Sequence, residues 1–200
     1  MLRDSSVMLL KKTKKHLVIS TISFFVVFFL YCLYYFFSSA ETSRYDLLII
    51  QKSKKYNLSP NLVKAVIWKE SKFDANAVGK KGEIGLMQIM QKAAVKDWEN
   101  YYKITLGGKG ILFNPSLNIE IGCWYLAKCR RHWRKYREPE VLMMAEYNAG
   151  YRNVKKWLKK VKLSDVRLVK QIEFRSTKKY VKDIMRQFKK YDLENNLMGE

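Results

Sequence analysis

The stretch VKAVIWKESKF, residues 63–73, decides how this chain is read. Leu62, Val66 and Glu70 are spaced four apart, and Val63, Ile67 and Glu70 follow the adjacent helical rows. On a helix these positions share one face, so an apolar stripe ends in a carboxylate while Lys64, Lys69 and Lys72 point elsewhere. Glu70 is then either the first solvated residue past the stripe or a partly desolvated acid. Desolvation favours the protonated form, which is what a proton donor near neutral pH requires. The negative end of the helix macrodipole pushes the same way.

The rest of the chain narrows the choice. From Leu17 to Phe37, LVISTISFFVVFFLYCLYYFF runs 21 residues without a charge. At ~1.5 Å per residue this is about 30 Å, the thickness of a bilayer's hydrocarbon layer. Tyr31, Tyr34 and Tyr35 collect at one end, as interfacial aromatics do. The small residues Ser38–Ala40 offer a cleavage site, but the run is longer than a signal-peptide core and aromatics crowd its end. We read it as an uncleaved transmembrane anchor. Lys11, Lys12, Lys14 and Lys15 precede it and only Arg44 closely follows. That flank asymmetry places residues 1–16 in the cytoplasm and the main domain, residues 41–200, outside the membrane.

The formal charge is +21, of which residues 41–200 carry +17 once five basic residues and one acidic residue are removed with the N-terminal forty. Such a field draws polyanions. Outside a membrane, acidic wall polymers or anionic lipid fit better than nucleic acid. Cys32 lies in the apolar run, and Cys123 and Cys129, six apart on one helix, face different directions. His16 and His132 offer no metal cluster, and LGGKG (106–110) lacks the spacing and hydroxyl of a phosphate-binding loop. No metal or cofactor is expected.

Residues 41–200 read as one all-α unit. A helix spans about residues 45–56, and Ser59 caps the next, with Pro60 in its first turn. Residues 73–86 read as irregular, 91–98 as a short helix, and the following segment to Asn114 as a loop. A second cap-plus-proline signal opens a helix at 114, and another runs from Pro139 to Gly150. Two basic helices follow, at about 154–161 and 177–191, the second with Tyr180, Val181, Ile184, Met185 and Phe188 on one apolar face.

Five segments occur in an order that carries a resemblance: ESKF (70–73), GEIGLMQIM (82–90), NIEIGCWYL (118–126), AEYNAG (145–150) and IEFRSTKKYV (172–181). Together, across about residues 45–190, the chain resembles the Slt-type lytic transglycosylases, lysozyme-like enzymes that cleave bacterial peptidoglycan. The resemblance implies an all-α, lysozyme-like domain of goose-type/SLT form with Glu70 as the single catalytic acid/base. In that family the C6 hydroxyl of the cleaved N-acetylmuramic acid closes onto C1, giving a 1,6-anhydro ring. The substrate's acetamido group removes the need for a second carboxylate. Gln88 and Met90 match positions lining the sugar groove, Tyr147 matches a tyrosine whose hydroxyl approaches the acid, Asn148 its polar neighbour, and Ser71 the serine after the acid. For Ser71 a local helix-end hydrogen bond competes with substrate contact, and for Tyr147 and Met90 the competing reading is core packing.

Four departures bear on substrate positioning. Gly79 stands where the family often has serine, Gln91 where proline is common, Glu146 where a small residue precedes YN, and Ser176–Thr177 where the pair is usually ET. Glu83 and Glu146 raise an alternative, a lysozyme-type hydrolase with two carboxyl groups across the scissile bond. Glu146 is the stronger candidate on sequence, because its neighbours are expected to line the groove. A non-catalytic peptidoglycan-binding domain is a further alternative, disfavoured by the intact Glu70, Gln88 and Tyr147. A basic nucleic-acid or membrane-surface module, built on YRNVKKWLKKVK (151–162), ranks below a core helix with a lysine-rich outer face. The expected partners are peptidoglycan strands and the membrane, with a wall-spanning assembly or other cell-wall enzymes as a possibility, and no nucleic acid.

Overall fold

The computed structural model describes residues 20–33, 43–159 and 168–198, and the chain divides into one unit up to Arg44 and another from Tyr45 onward. In the first unit residues 20–33 are helical, with their apolar side chains largely exposed. Among the described residues no helix is long and apolar enough to cross a membrane. The expected span, 17–37, lies partly outside them, and the segment 1–16, expected in the cytoplasm, lies wholly outside them.

The second unit is helical, as its periodicity predicts. Its helices are α1 (Asp46–Lys55), α2 (Pro60–Ser71), α3 (Lys96–Tyr102), α4 (Pro115–Trp133), α5 (Pro139–Ala149), α6 (Tyr151–Trp157) and α7 (Arg175–Met198). Both cap-plus-proline signals work as read. Ser59 Oγ accepts from the Leu62 N–H, and Asn114 Oδ1 accepts from the Leu117 N–H at 3.0 Å, so each side chain satisfies an amide that the first turn leaves open. Gly150 closes α5 at φ +82, its N–H donating to the Glu146 carbonyl at 2.7 Å.

The core gathers the apolar stripe of α2 (Leu62, Val63, Val66, Ile67), which packs on α7 and α1, with buried residues of α4 and α5. Ile119, Ile121, Leu126, Leu142, Met143, Met144, Val181 and Ile184 are fully enclosed. At roughly 1.5–3 kcal/mol for each large side chain removed from water, this set dominates the stability of the unit. Three polar ties fix the helices around it. Lys69 Nζ meets Asp183 at 2.8 Å between α2 and α7. Lys52 and Lys55 reach Glu120 on α4 at 2.9 and 2.6 Å, and the Tyr56 hydroxyl bonds the same carboxylate. Trp133 on α4 donates to Glu146 on α5 at 2.6 Å.

Two elements exceed their sequence expectation. The short helix at 91–98 begins as a π-helical turn, Gln91–Val95, and continues through Tyr102. Its last turn is held by aromatic contacts, Trp98–Tyr102 at 4.9 Å and Tyr101–Trp124 at 5.6 Å. The last helix starts at Arg175 and runs to Met198 rather than stopping at 191. No Gly or Pro interrupts it between Arg175 and Met198, and Asn61 of α2 bonds both Asp192, at 2.7 Å, and Asn195, at 3.0 Å. In the basic helix α6, Trp157 and Leu158 are buried while Lys155 and Lys156 face solvent, the core-helix reading.

Candidate active site

Glu70 occupies the last turn of α2, half-buried, and the chain turns sharply just beyond it. Lys72 and Phe73 follow at φ +56 and +69, left-handed conformations that non-glycine residues adopt at a cost. Phe73 is buried, so its side chain is anchored in the core and holds the turn in place. The Tyr180 hydroxyl, reaching across from α7, donates to Glu70 Oε1 at 2.5 Å.

The environment makes Glu70 a proton carrier. Burial pushes its pKa up to about 7 from 4.5, the Tyr180 hydrogen bond and the Lys69 charge pull it down, and the negative charge of Glu83 pushes it up. Burial wins because one hydroxyl donor cannot replace the water a carboxylate loses. A group with this pKa both gives and takes a proton near neutrality. Tyr180→Phe removes a donor that stabilises the ionised form. We expect the alkaline limb of the kcat/KM–pH profile to move up by about half to one pH unit, with an unchanged limb excluding a functional bond.

Facing Glu70 is a loop, residues 77–90, that the sequence presents as irregular. It is pinned by backbone pairs: Ile84 bridges both Val78 and Ile89, and the Gly85 N–H donates to the Ala77 carbonyl at 2.8 Å. Gly85 needs its glycine, at φ +76 and against Asn118. Ser71 Oγ donates to the Leu86 carbonyl at 2.9 Å, so Ser71 ties α2 to this loop. Gln88 sits at φ +47, its amide nitrogen spent on the carbonyls of Ala77 and Gly85, at 3.2 and 3.0 Å. What it can offer a sugar is its oxygen rather than both halves of the amide. Met90 is 39 % exposed, at the loop's outer end.

Tyr147 comes in from α5 and donates to the Met87 carbonyl at 2.7 Å. Its pKa is raised by burial and by the nearby Glu70 charge, but the hydroxyl bonded to Glu70 is that of Tyr180. Asn148 is exposed and accepts at 2.8 Å from Thr177, which is buried. Thus Thr177, where the family pattern has ET, braces the α5–α7 junction.

Sequence reasoning missed the residue that organises the loop. Asn118 is 1 % exposed on α4, and its side chain accepts from the Met87 N–H while donating to the Ile84 and Leu112 carbonyls, each at 2.8 Å. A lone amide on the buried face of a helix was the available signal. Tyr180 was visible only as part of an apolar face.

Glu146 corrects the sequence expectation. It is 3 % exposed between α4 and α5, bonded by Trp133 Nε1 at 2.6 Å and by His132 Nδ1 at 2.9 Å. These donors consume the carboxylate, so it braces two helices and is no catalytic partner for Glu70. Glu146→Ala would strand the Trp133 N–H and leave a cavity. We expect a loss of about 2–4 kcal/mol in chemical denaturation, and a loss below 0.5 kcal/mol would contradict this role.

A lysozyme-like helical domain with a half-buried acid facing a braced loop is the class that fold and site define. The Transglycosylase SLT domain family model matches residues 47–169, and the chain belongs to this family. It is 35% identical over 85 residues to the membrane-bound lytic murein transglycosylase C of Salmonella arizonae, a match covering 42% of this chain and 24% of that protein. An inactive mutant of the lytic transglycosylase Slt from Pseudomonas aeruginosa superposes with a TM-score of 0.69 at 28% identity, covering 77% of this chain and 25% of the other. The 70 kDa soluble lytic transglycosylase of Escherichia coli gives 0.65 at 27% identity, covering 72% and 23%. The chain thus spans about a quarter of the length of these relatives.

Proposed function

We propose that this chain is a membrane-anchored peptidoglycan lytic transglycosylase cleaving the N-acetylmuramic acid–β-1,4–N-acetylglucosamine bond. The observation that carries the reading is Glu70, a half-buried acid with a pKa of about 7 at the mouth of a braced loop. Protonated Glu70 gives its proton to the glycosidic oxygen as the C1–O bond breaks. The muramic C6 hydroxyl then forms the new bond to C1 and returns a proton to Glu70, leaving a 1,6-anhydro end and no added water. Gln88 supplies an acceptor, Met90 a pliant apolar wall, and Tyr147, Asn148 and Ser71 hold the groove's shape. The relative described as membrane-bound and acting on murein supports both the substrate class and the anchor at 17–37.

The anchor would confine cleavage to wall close to the bilayer, for remodelling or for opening a gap for an assembly. The test is digestion of purified peptidoglycan by the chain and by its Glu70→Gln variant, with mass spectrometry of the released muropeptides. Products one water lighter than hydrolytic ones, absent with Glu70→Gln, are expected. Retention of the chain in membranes washed with alkaline carbonate tests the anchor.

A further inference from the structure

Glu146 leaves the second-carboxylate question to Glu83, and the loop geometry gives Glu83 an unusual place. Its side chain folds back over Gly79, where Oε2 accepts from the Lys81 N–H at 2.8 Å. A Cβ on Gly79 would overlap that oxygen and would lie 2.7 Å from Gln88 Oε1. The space that a side chain at 79 would fill is therefore occupied by two acceptor oxygens, one of them charged. The Gly79 N–H, which donates to the Glu83 carbonyl at 2.7 Å, holds the two residues in register.

A turn needs no carboxylate there, since one neutral acceptor would satisfy the Lys81 N–H. We propose that Glu83 is the second functional carboxylate of this groove, a fixed charge held above Gly79 beside Gln88 that acts on Glu70 and on the bound sugar. It is a positioning residue: its charge opposes ionisation of Glu70. It also favours the positive charge that develops at C1 as the glycosidic bond breaks. The other groups that face Glu70 are Tyr180 from α7, Tyr147 from α5 and Lys69 on α2. Tyr180 and Lys69 favour the ionised form, so among the described residues Glu83 is the charged group that adds to burial in keeping the proton on. The sugar-facing half of the proposal rests on the glycan-cleaving reading, whereas the effect on Glu70 does not.

The test uses the full chain in detergent, with 13C-carboxyl glutamate and the Glu70→Gln spectrum to assign the Glu70 resonance. Glu83→Gln keeps an acceptor for the Lys81 N–H and removes only the charge. The Glu70 titration midpoint is expected to fall by about half to one pH unit. Turnover of peptidoglycan above pH 7.5 should drop roughly threefold to tenfold, with the alkaline limb displaced to lower pH. Gly79→Ser should lose activity beside the native Glu83 and regain part of it when combined with Glu83→Ala, which clears the overlap. An unmoved Glu70 midpoint with unchanged turnover in Glu83→Gln would overturn the proposal and leave Glu83 a turn residue. If the native chain releases no glycan product, the functional reading fails, and the titration still decides whether Glu83 acts on Glu70.

Discussion

Glu70→Gln is expected to abolish glycan release, lowering turnover by about 10³-fold or more, because the amide can neither give a proton to the glycosidic oxygen nor take one from the attacking hydroxyl. The same variant gains stability in a pH-dependent way. The folded-state pKa of Glu70 is raised from 4.5 to about 7, so the folded chain binds more protons than the unfolded chain between those values. Stability from this group therefore falls as pH rises through that window, and the full penalty is present above pH 7. Glu70→Gln removes the penalty and should be more stable than the native chain by about 1–3 kcal/mol at pH 8, with little difference at pH 4. Chemical denaturation at the two pH values separates these outcomes. A variant no more stable at pH 8 would mean that the acid is solvated and carries no special proton.

The second large effect belongs to a residue that touches no substrate. Asn118→Ala strips partners from the Met87 N–H and from the Ile84 and Leu112 carbonyls at once, all in the interior. Each stranded group costs about 1–3 kcal/mol, so a net loss of about 3–5 kcal/mol is expected, and the 82–90 loop should lose its set. Amide hydrogen exchange would show faster exchange at Ile84, Met87 and Ile89 than in the native chain. Turnover should fall at least tenfold even below the melting transition, because Gln88 and Met90 are carried by that loop. Protected amides with native turnover would sink the assignment of Asn118 as the loop's clamp.

How far the sequence led differs between elements for physical reasons. Caps are local chemistry: a Ser or Asn before a proline states where a helix starts, and Ser59 and Asn114 did so. The apolar stripe of α2 predicted its buried face, since periodicity reports burial directly, but left Glu70 at the end of the stripe open between a solvated residue and a partly desolvated acid. The loop at 77–90 was opaque because its order comes from three helices, with Asn118 and Tyr147 reaching it from positions distant in sequence and Ser71 from the helix before it. The end of α2 was opaque too, because Lys72 and Phe73 take left-handed conformations without glycine, held by tertiary packing rather than propensity. Glu146 misled because a neighbour in sequence points about 100° away round a helix, so that beside Tyr147 it turns to Trp133 and His132 of α4.

In the proposed reaction Glu70 works without added water, and digestion of peptidoglycan in 18O-labelled water tests that most directly. We predict muropeptides with 1,6-anhydro ends carrying no 18O at the new terminus. Reducing ends labelled with 18O would contradict transglycosylation and make the chain a hydrolase.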